Sequence, residues 1–160
     1  MGAGYHGGFG STAGAAAGDA IYPSPNYNYI TNISRRKDID KDGVFDVVAH
    51  GSSNTIQLLH NGEIINVDSR IAAKLIAQNP KYSSGGSLRL LSCNTGSTTK
   101  GFAQNLANKL NVIVYAPTKV VWAYPNGHYI VAGRRKDNPD YPDLSDLGSF
   151  VTFFPGGKRK

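Results

Sequence analysis

The chain contains few of the residues that crosslink a protein or anchor it in a membrane. Cys93 is the only cysteine among 160 residues, so no disulfide can form within the chain and packing must supply its stability. No run of apolar residues approaches the roughly 20 that a membrane-spanning helix requires. Residues 1–20 have neither a basic flank nor a continuous apolar run, so we predict no signal peptide and no membrane span.

The two ends of the chain differ in composition from its middle. Residues 1–18 contain seven glycines and five alanines, which offer few side chains for a core and much backbone freedom. We interpret this segment as a flexible linker that joins an upstream parent chain. Residues 19–157 are long enough for one domain with its own core, and residues 158–160 form a basic tail.

The chain carries an excess of positive charge, with a formal net charge of +6. Its basic residues cluster at 35–37, 134–136 and 158–160, in predicted loops or at the terminus. No nucleic-acid-binding module surrounds these clusters, so solvated loop charge is the simpler interpretation and no nucleic-acid partner is expected. An acidic partner, another polyanion, or a charge requirement for passage through a secretion channel stay open as alternatives.

One segment imitates a calcium-binding loop. Residues 38–43, DIDKDG, match the first six positions of an EF-hand loop, but the twelfth position, where a bidentate glutamate is required, is Ala49. The intervening residues 44–48 are typical of a strand, so a turn before a strand is the better interpretation. No set of His, Cys, Asp and Glu residues has zinc-site spacing. We therefore predict neither a metal nor a cofactor.

Apolar runs alternate with amphipathic stretches along the chain. Asp68 can cap a helix over residues 69–79 that has Ile71 and Leu75 on one face. A second predicted helix covers 100–110, and residues 133–147 are a predicted polar loop. The predicted strands are 29–33, 44–50, 55–59, 63–67, 87–92, 112–116, 119–124, 128–132 and 148–154.

This order of elements predicts an α/β fold with a mixed, mainly parallel sheet flanked by helices. Turn residues at 61–62 and 125–127 predict peripheral β-hairpins. Because crossovers between parallel strands are right-handed, we expect strands 44–49 and 88–92 to be neighbours that end at the same edge of the sheet. Ligands of open α/β sheets usually bind at that carboxyl edge.

The two residues capable of covalent chemistry both lie at ends of these strands. His50 ends the run DVVAH, and Cys93 follows LRLLS. If the strands are neighbours, the imidazole can take the proton of the thiol, and the N–H groups of Gly51 and Cys93 can stabilise an oxyanion. The alternative is structural, since a lone cysteine is usually a small buried hydrophobe and a lone histidine usually has no catalytic role.

His50-Gly51 after VVA and Ser92-Cys93 after RLL resemble the two signature blocks of clan CD cysteine peptidases. This clan includes caspases, legumains, clostripain, gingipains and the autoprocessing domains of large bacterial toxins. Over residues 42–157 the chain more closely resembles C-terminal domains of RHS-repeat and other polymorphic bacterial toxins. The stretches that carry this likeness are DGVFDVVAHG, RLLSCNTG, FAQNLANKLNV, YAPT, the tryptophan hairpin and SFVTFFPGG. The resemblance implies a caspase-like fold.

The resemblance also implies roles for individual residues. His50 is the expected general base and acid, Cys93 the nucleophile, and Gly51 with Cys93 the oxyanion hole. Caspase-like peptidases generally use a dyad, so Asp46 is not assigned a catalytic role. Three residues are candidates for a substrate pocket, although the last of them also fits the core: Ser92, Asn94 and Trp122.

The expected function is that of a cysteine peptidase acting as the effector domain of a secreted bacterial toxin, delivered into the cytoplasm of a target cell. Its expected partners are a protein substrate in that cell, a cognate immunity protein and the upstream parent chain. A deamidase or transglutaminase would use the same nucleophile and base. From a different class, a non-catalytic basic domain that binds an anionic partner stays open.

Overall fold

The computed structural model of the protein describes residues 29–39, 43–60 and 63–157. The predicted linker, the basic tail and the turn at 61–62 lie outside these ranges, within which no helix is long and apolar enough to cross a membrane. The elements are α1 (Tyr29–Ser34), β1 (Val44–Val48), β2 (Ile56–His60), β3 (Glu63–Val67), α2 (Ser69–Gln78), β4 (Ser87–Leu91), α3 (Phe102–Leu110), β5 (Val114–Pro117), β6 (Val120–Ala123), β7 (Tyr129–Arg134), β8 (Pro142–Leu147) and β9 (Phe150–Phe153).

The main sheet of the described residues has four strands in the order β1-β4-β5-β9. The β1–β4 and β4–β5 pairs are parallel, and the β5–β9 pair is antiparallel. Helix α2 lies in the connection from β1 to β4, and α3 connects β4 to β5. The prediction of an α/β fold with a mixed sheet is confirmed, as is the parallel pairing of the two strands that precede His50 and Cys93.

Two smaller antiparallel sheets accompany the main one. Strands β2 and β3 form a two-stranded hairpin, and β6, β7 and β8 form a three-stranded sheet with β8 at its edge. The prediction of a loop over 133–147 is wrong, because β7 extends to Arg134 and β8 pairs with it. The sequence of β8 is rich in Pro, Asp and Ser, and it resembles a loop because an edge strand does not need a buried face.

Helix α1 replaces the strand predicted over residues 29–33. Tyr29 and Ile33, one helical turn apart, are buried at 0% and 1% exposure. The Tyr29 hydroxyl donates a hydrogen bond to the Leu91 carbonyl at 3.1 Å, and the Asn32 amide donates to the Ala123 carbonyl at 3.1 Å. The β-branched residues of this segment favoured a strand, but its burial repeats every four residues, as in a helix.

The core has two clusters, one on each face of β1 and β4. Alternate residues of both strands point to opposite sides. The first cluster includes Val47 and Leu90 together with residues of α2, α3 and the β2–β3 hairpin. The second cluster includes Val48 and Leu91 together with residues of α1, β6 and β7. The main sheet is therefore covered by helices on one face and largely by the β6–β7–β8 sheet on the other.

The helices of the first cluster differ in how well their sequences predicted the buried face. In α3, Phe102 and Leu106 are buried as expected. In α2 the expected face is only partly buried, since Leu75 packs against the first cluster whereas Ile71 is 38% exposed. The fully buried residues of α2 are Ser69, Ala72, Ala73 and Ile76. Small side chains on this face allow α2 to pack closely against α3. Asp68 caps α2 as predicted, accepting a hydrogen bond from the Ile71 N–H at 3.0 Å.

Candidate functional site at the carboxyl edge of the sheet

Strands β1 and β4 bring the predicted site residues to the same edge. Their register pairs Asp46 with Arg89 and Val48 with Leu91, so His50 and Cys93 each follow the last pair by two residues. Beyond that pair, the Ala49 N–H still donates to the Leu91 carbonyl at 3.4 Å. The two segments thus leave the sheet side by side and in the same direction, as the sequence predicted.

The alternation of side chains places both residues on the same face. Val48, Leu91 and Cys93 belong to the second core cluster. His50 lies two residues after Val48, and residues two apart in an extended segment share a face. His50 is half-buried and Cys93 is fully buried. The pairing and the alternation together support a common location for the predicted base and nucleophile.

Gly51 is in close contact with the cysteine segment. A Cβ atom at Gly51 would lie 2.9 Å from the Cys93 carbonyl oxygen, 2.9 Å from Ser92 Cβ and 2.9 Å from Thr95 Cγ2. These distances are shorter than real Cβ contacts, so only glycine fits between the two segments. The structure therefore gives Gly51 a packing reason for being glycine, and its predicted role as an oxyanion donor stays a prediction.

The sulfur of Cys93 is covered by strand β6. The Val121 N–H donates a hydrogen bond to Sγ at 3.2 Å, and Sγ lies 3.9 Å from the Val121 carbonyl oxygen. An N–H donor directed at sulfur stabilises negative charge there. Sequence analysis missed this contact because Val121 lies 28 residues away in the chain and no motif marks it.

The three candidate pocket residues lie in different surroundings. Ser92 is fully buried, and its hydroxyl has no hydrogen-bond partner among the described residues. Asn94 is half-buried and adopts a left-handed backbone conformation with φ of 63°. Trp122 is fully buried, and its indole N–H donates to the Ala132 carbonyl at 3.0 Å. Trp122 therefore lies in the second core cluster and not at the protein surface.

Backbone hydrogen bonds tie both site loops to the start of α3. The Phe102 N–H donates to the Ser53 carbonyl at 2.8 Å, and the Ala103 N–H donates to the Thr95 carbonyl at 3.2 Å. These bonds satisfy two of the N–H groups that a helix leaves unpaired at its first turn. The loop after His50 and the loop after Cys93 are therefore held by one helix terminus.

A buried ion network lies further down the same face of β1 and β4. Asp46 accepts hydrogen bonds from Arg36 at 2.6 Å and from Arg89 at 2.7 Å. The Arg36 side chain is 0% exposed and that of Asp46 is 2% exposed. Arg89 also bonds Asp38 at 2.9 Å, and the Tyr129 hydroxyl donates to Asp38. Asp46 is thus held in a buried ion network with two arginines.

The network shifts the acidity of its partly exposed members. Burial raises the pKa of Asp38, but hydrogen bonds from Tyr129 and Arg89 outweigh it and hold the pKa below its ordinary value. Burial also raises the pKa of Tyr129, and its hydrogen bond to the Asp38 carboxylate raises it further. Asp38, the first residue of the calcium-like motif, is engaged in this network, while residues 40–42 of the motif lie outside the described ranges. Within those ranges, no group of three or more His, Cys, Asp or Glu residues is placed to hold a metal ion.

A cavity of about 540 Å³ opens beside this network rather than beside Cys93. It is lined by Lys37, Asp38, Asn126, Gly127, His128 and Tyr129. Gly127 has a φ of +91° at the tip of the β6–β7 hairpin, where its Cα approaches the backbone of Arg35. The cavity is therefore formed by the hairpin and the segment before β1, and its lining includes neither His50 nor Cys93.

Residues 20–131 match the model of the DUF8616 family, which is described as a domain of unknown function. Because this range is well over half of the chain, the protein belongs to that family. No curated protein and no solved structure matches the chain. The matched range includes β1, β4 and β6 with both segments of the candidate site, whereas β8 and β9 follow it.

Proposed function

We propose that the protein is a cysteine-dependent acyl-transfer enzyme of caspase-like character, most simply a peptidase. The observation that supports the proposal is the parallel pairing of β1 with β4, which brings the segments that follow Val48 and Leu91 to one edge, with Gly51 in close contact with Ser92 and Cys93. The contacts of Gly51 with Ser92, Cys93 and Thr95 show that the two loops touch rather than merely share an edge.

In the proposed reaction, the His50 imidazole takes the proton of the Cys93 thiol, and the thiolate attacks the carbonyl carbon of an amide. The C–N bond then breaks, and His50 gives the proton to the leaving amine, which leaves an acyl group on sulfur as a thioester. Water, deprotonated by His50, attacks the thioester and restores the thiol. The N–H groups of Gly51 and Cys93 are the proposed donors to the carbonyl oxygen as it becomes negative.

The burial of Cys93 adds a requirement to this mechanism. In the structure β6 contacts the sulfur through the Val121 backbone, so substrate can reach Cys93 only when this strand moves aside. In this mechanism the structure is a closed state, in which the Val121 N–H is hydrogen-bonded to the Cys93 sulfur. Opening must separate β6 from the carboxyl end of β4 without separating β1 from β4.

The biological setting is proposed on the resemblance of residues 42–157 to toxin domains. We propose that the domain is the effector of a secreted bacterial toxin that acts on a protein in the cytoplasm of a target cell, with an immunity protein as its cognate inhibitor. A deamidase or transglutaminase would use the same dyad. The mass of the product separates the three reactions, because hydrolysis of a peptide bond splits the chain, deamidation adds about 1 Da, and transglutamination joins an amine.

The test is growth inhibition by the domain expressed in a bacterial cytoplasm. We expect Cys93→Ala and His50→Ala to abolish inhibition, and the matched variant His128→Ala, an exposed histidine of the β6–β7 hairpin, to leave it unchanged. Iodoacetamide should alkylate Cys93 in the folded protein at a rate that falls in His50→Ala. A folded Cys93→Ala variant that remains toxic would overturn the proposal.

A second candidate function is favoured by the same burial of Cys93. A thiol at 0% exposure is also what a small core residue looks like, and the chain then acts by binding an anionic partner through its exposed cations. This reading predicts that Cys93 is alkylated only after unfolding. It also predicts retention on a heparin column that decreases in Lys37→Ala, since Lys37 is exposed while its neighbour Arg36 is buried.

A further inference from the structure

The chain crosses between the main sheet and the β6–β7–β8 sheet at one place. It enters the smaller sheet after β5 and leaves it before β9, and among the described residues the two sheets share no strand pair. The two crossings are bonded to each other: the Thr118 N–H donates to the Ser149 carbonyl at 2.9 Å, and the Ser149 N–H donates to the Thr118 hydroxyl at 3.1 Å. Two crossings at one point can act as a hinge about which the smaller sheet turns as a unit.

The tip of the β6–β7 hairpin rests on α1 and the residues that follow it. The Asn32 amide donates a buried hydrogen bond to the Ala123 carbonyl at 3.1 Å, and the Arg35 guanidinium donates to the Pro125 carbonyl at 2.9 Å. Gly127 lies so close to the same segment that a Cβ atom there would overlap the Arg35 carbonyl. The hairpin is therefore held at its tip as well as at the hinge.

The segment that holds the hairpin is itself fixed to the main sheet. The Tyr29 hydroxyl donates to the Leu91 carbonyl at the end of β4 at 3.1 Å, and Arg36 forms a buried ion pair with Asp46 of β1 at 2.6 Å. Helix α1 has only six residues, and a helix of this length is not stable by itself in water. Its position therefore depends on β1 and β4, and the bonds that an opening motion must break are those between α1 and the hairpin.

We propose that the β6–β7–β8 sheet, residues 120–147, is a lid that closes over Cys93, and that the contacts of Asn32 and Arg35 with the hairpin are its latch. This inference rests on the proposed function, in which β6 must leave the sulfur while β1 and β4 stay paired. Val121, whose N–H is bonded to the sulfur at 3.2 Å, belongs to the lid, whereas the proposed dyad follows the two strands to which α1 is fixed. Turning the lid about the hinge therefore exposes the thiol without separating the dyad.

The closed state is the dominant one. The lid buries apolar side chains of the second core cluster, among them Val121, Trp122 and Val131, and their exposure on opening is unfavourable. The latch therefore adjusts the size of a minor open population rather than choosing between two equal states. Each latch contact that is lost raises this population, and with it the fraction of molecules in which Cys93 can react.

The rate at which iodoacetamide alkylates Cys93 in the folded chain measures the open population. We expect Gly127→Ala to raise this rate about tenfold, because its methyl group overlaps the Arg35 carbonyl and pushes the hairpin tip away. Gly85→Ala is the matched control. Gly85 has a φ of +86°, close to the +91° of Gly127, but a Cβ atom there has nothing within 4 Å, so the alkylation rate should stay at the wild-type value.

A second variant tests the latch without backbone strain. Asn32→Ala removes the buried bond to Ala123 and should raise the alkylation rate about fivefold, the usual effect of one buried hydrogen bond. Ser34→Ala is its control on the same helix, because the Ser34 hydroxyl bonds the Thr31 carbonyl within α1, and it should leave the rate unchanged.

Hydrogen exchange separates lid opening from unfolding. In Gly127→Ala and Asn32→Ala the amides of β6 and β7 should exchange faster, while those of β1 and β4 keep the wild-type rate. Alkylation that does not change in either variant, or exchange that rises equally in β4, would overturn the lid. Neither measurement requires turnover, so a chain that is alkylated faster in both variants but has no toxicity would sink the proposed function and leave the lid standing.

Discussion

Two parts of the β1–β4 pair hold polar side chains in opposite ways. In the middle of the pair, Asp46 and Arg89 face each other within a network in which each buried charge has a partner. Past the end of the pair, His50 and Cys93 follow in the same register, and Ser92, just before Cys93, has a buried hydroxyl with no partner among the described residues. The charges of the network are paired, whereas the carboxyl end keeps unused hydrogen-bonding capacity at Ser92.

The difference indicates that the ion network fixes the register of the two strands. A slip of one residue in β4 would move Arg89 to the opposite face, into the first core cluster, and would separate it from Asp46. Burial of an unpaired guanidinium is costly. The ion pair therefore fixes the register that also aligns Cys93 with His50. The ion pair thus specifies the geometry on which the proposed dyad depends.

The largest expected effect on stability comes from removing the carboxylate of Asp46 from the buried ion network. Asp46→Asn leaves the fully buried Arg36 without its carboxylate, and we expect it to lower the free energy of unfolding by about 3–5 kcal/mol. The matched change Asp38→Asn should lower it by about 1 kcal/mol or less, because the Asp38 side chain is 52% exposed. Urea denaturation measures both. Equal losses would show that the network does not depend on burial.

Placing a side chain between the two loops at the carboxyl end should have the next largest effect on stability. Gly51→Ala places a methyl group 2.9 Å from the Cys93 carbonyl oxygen, and we expect a loss of about 1–3 kcal/mol from overpacking. Gly43→Ala is the matched control just before β1, since a Cβ there has nothing within 4 Å. Thermal unfolding compares the two, and a Gly51→Ala protein as stable as Gly43→Ala would contradict the close contact of the loops.

The strands that carry the site were predictable because their signals are local. Apolar runs before His50 and Cys93, a capped helix between them and the handedness of crossovers together predict parallel neighbours. The contacts that close each end were not predictable. Asp46 meets Arg89 across 43 residues of sequence, and Val121 meets Cys93 across 28. No motif encodes such pairs, because they depend on how separate elements pack.

The burial of Cys93 shows the same limit. A cysteine that ends an apolar strand is exposed or buried according to what packs over the strand end, and here that element is β6. The same argument applies to α1, whose residues favoured a strand until the packing of Tyr29 and Ile33 against the sheet decided for a helix. Periodicity predicts elements, whereas the cover over a site follows from their assembly.

Removing the unpartnered hydroxyl should change stability little. Ser92→Ala takes away a buried group that makes no hydrogen bond among the described residues, so we expect no loss or a gain of up to about 1 kcal/mol. The contrasting change is Thr95→Val, which removes the hydroxyl that donates to the Ser92 carbonyl at 2.9 Å and should cost about 1 kcal/mol. Urea denaturation distinguishes them. A large loss in Ser92→Ala would mean that the hydroxyl has a structural partner.

The smallest expected effect is the acid dependence of the ion network. Tyr129 and Arg89 hold the pKa of Asp38 below its ordinary value despite partial burial. A carboxyl with a lower pKa in the folded chain stabilises the fold above its unfolded pKa of about 3.9, and this contribution is lost as the pH falls through the folded pKa. Between about pH 5 and pH 2, the stability of Asp38→Asn should therefore fall less than that of the wild type. Asp140→Asn, a change at an exposed carboxylate, is the control and should follow the wild-type curve. If Asp38→Asn also follows it, Asp38 contributes little to the network, and the ion pairs that stabilise the fold are those of Asp46 with its two arginines.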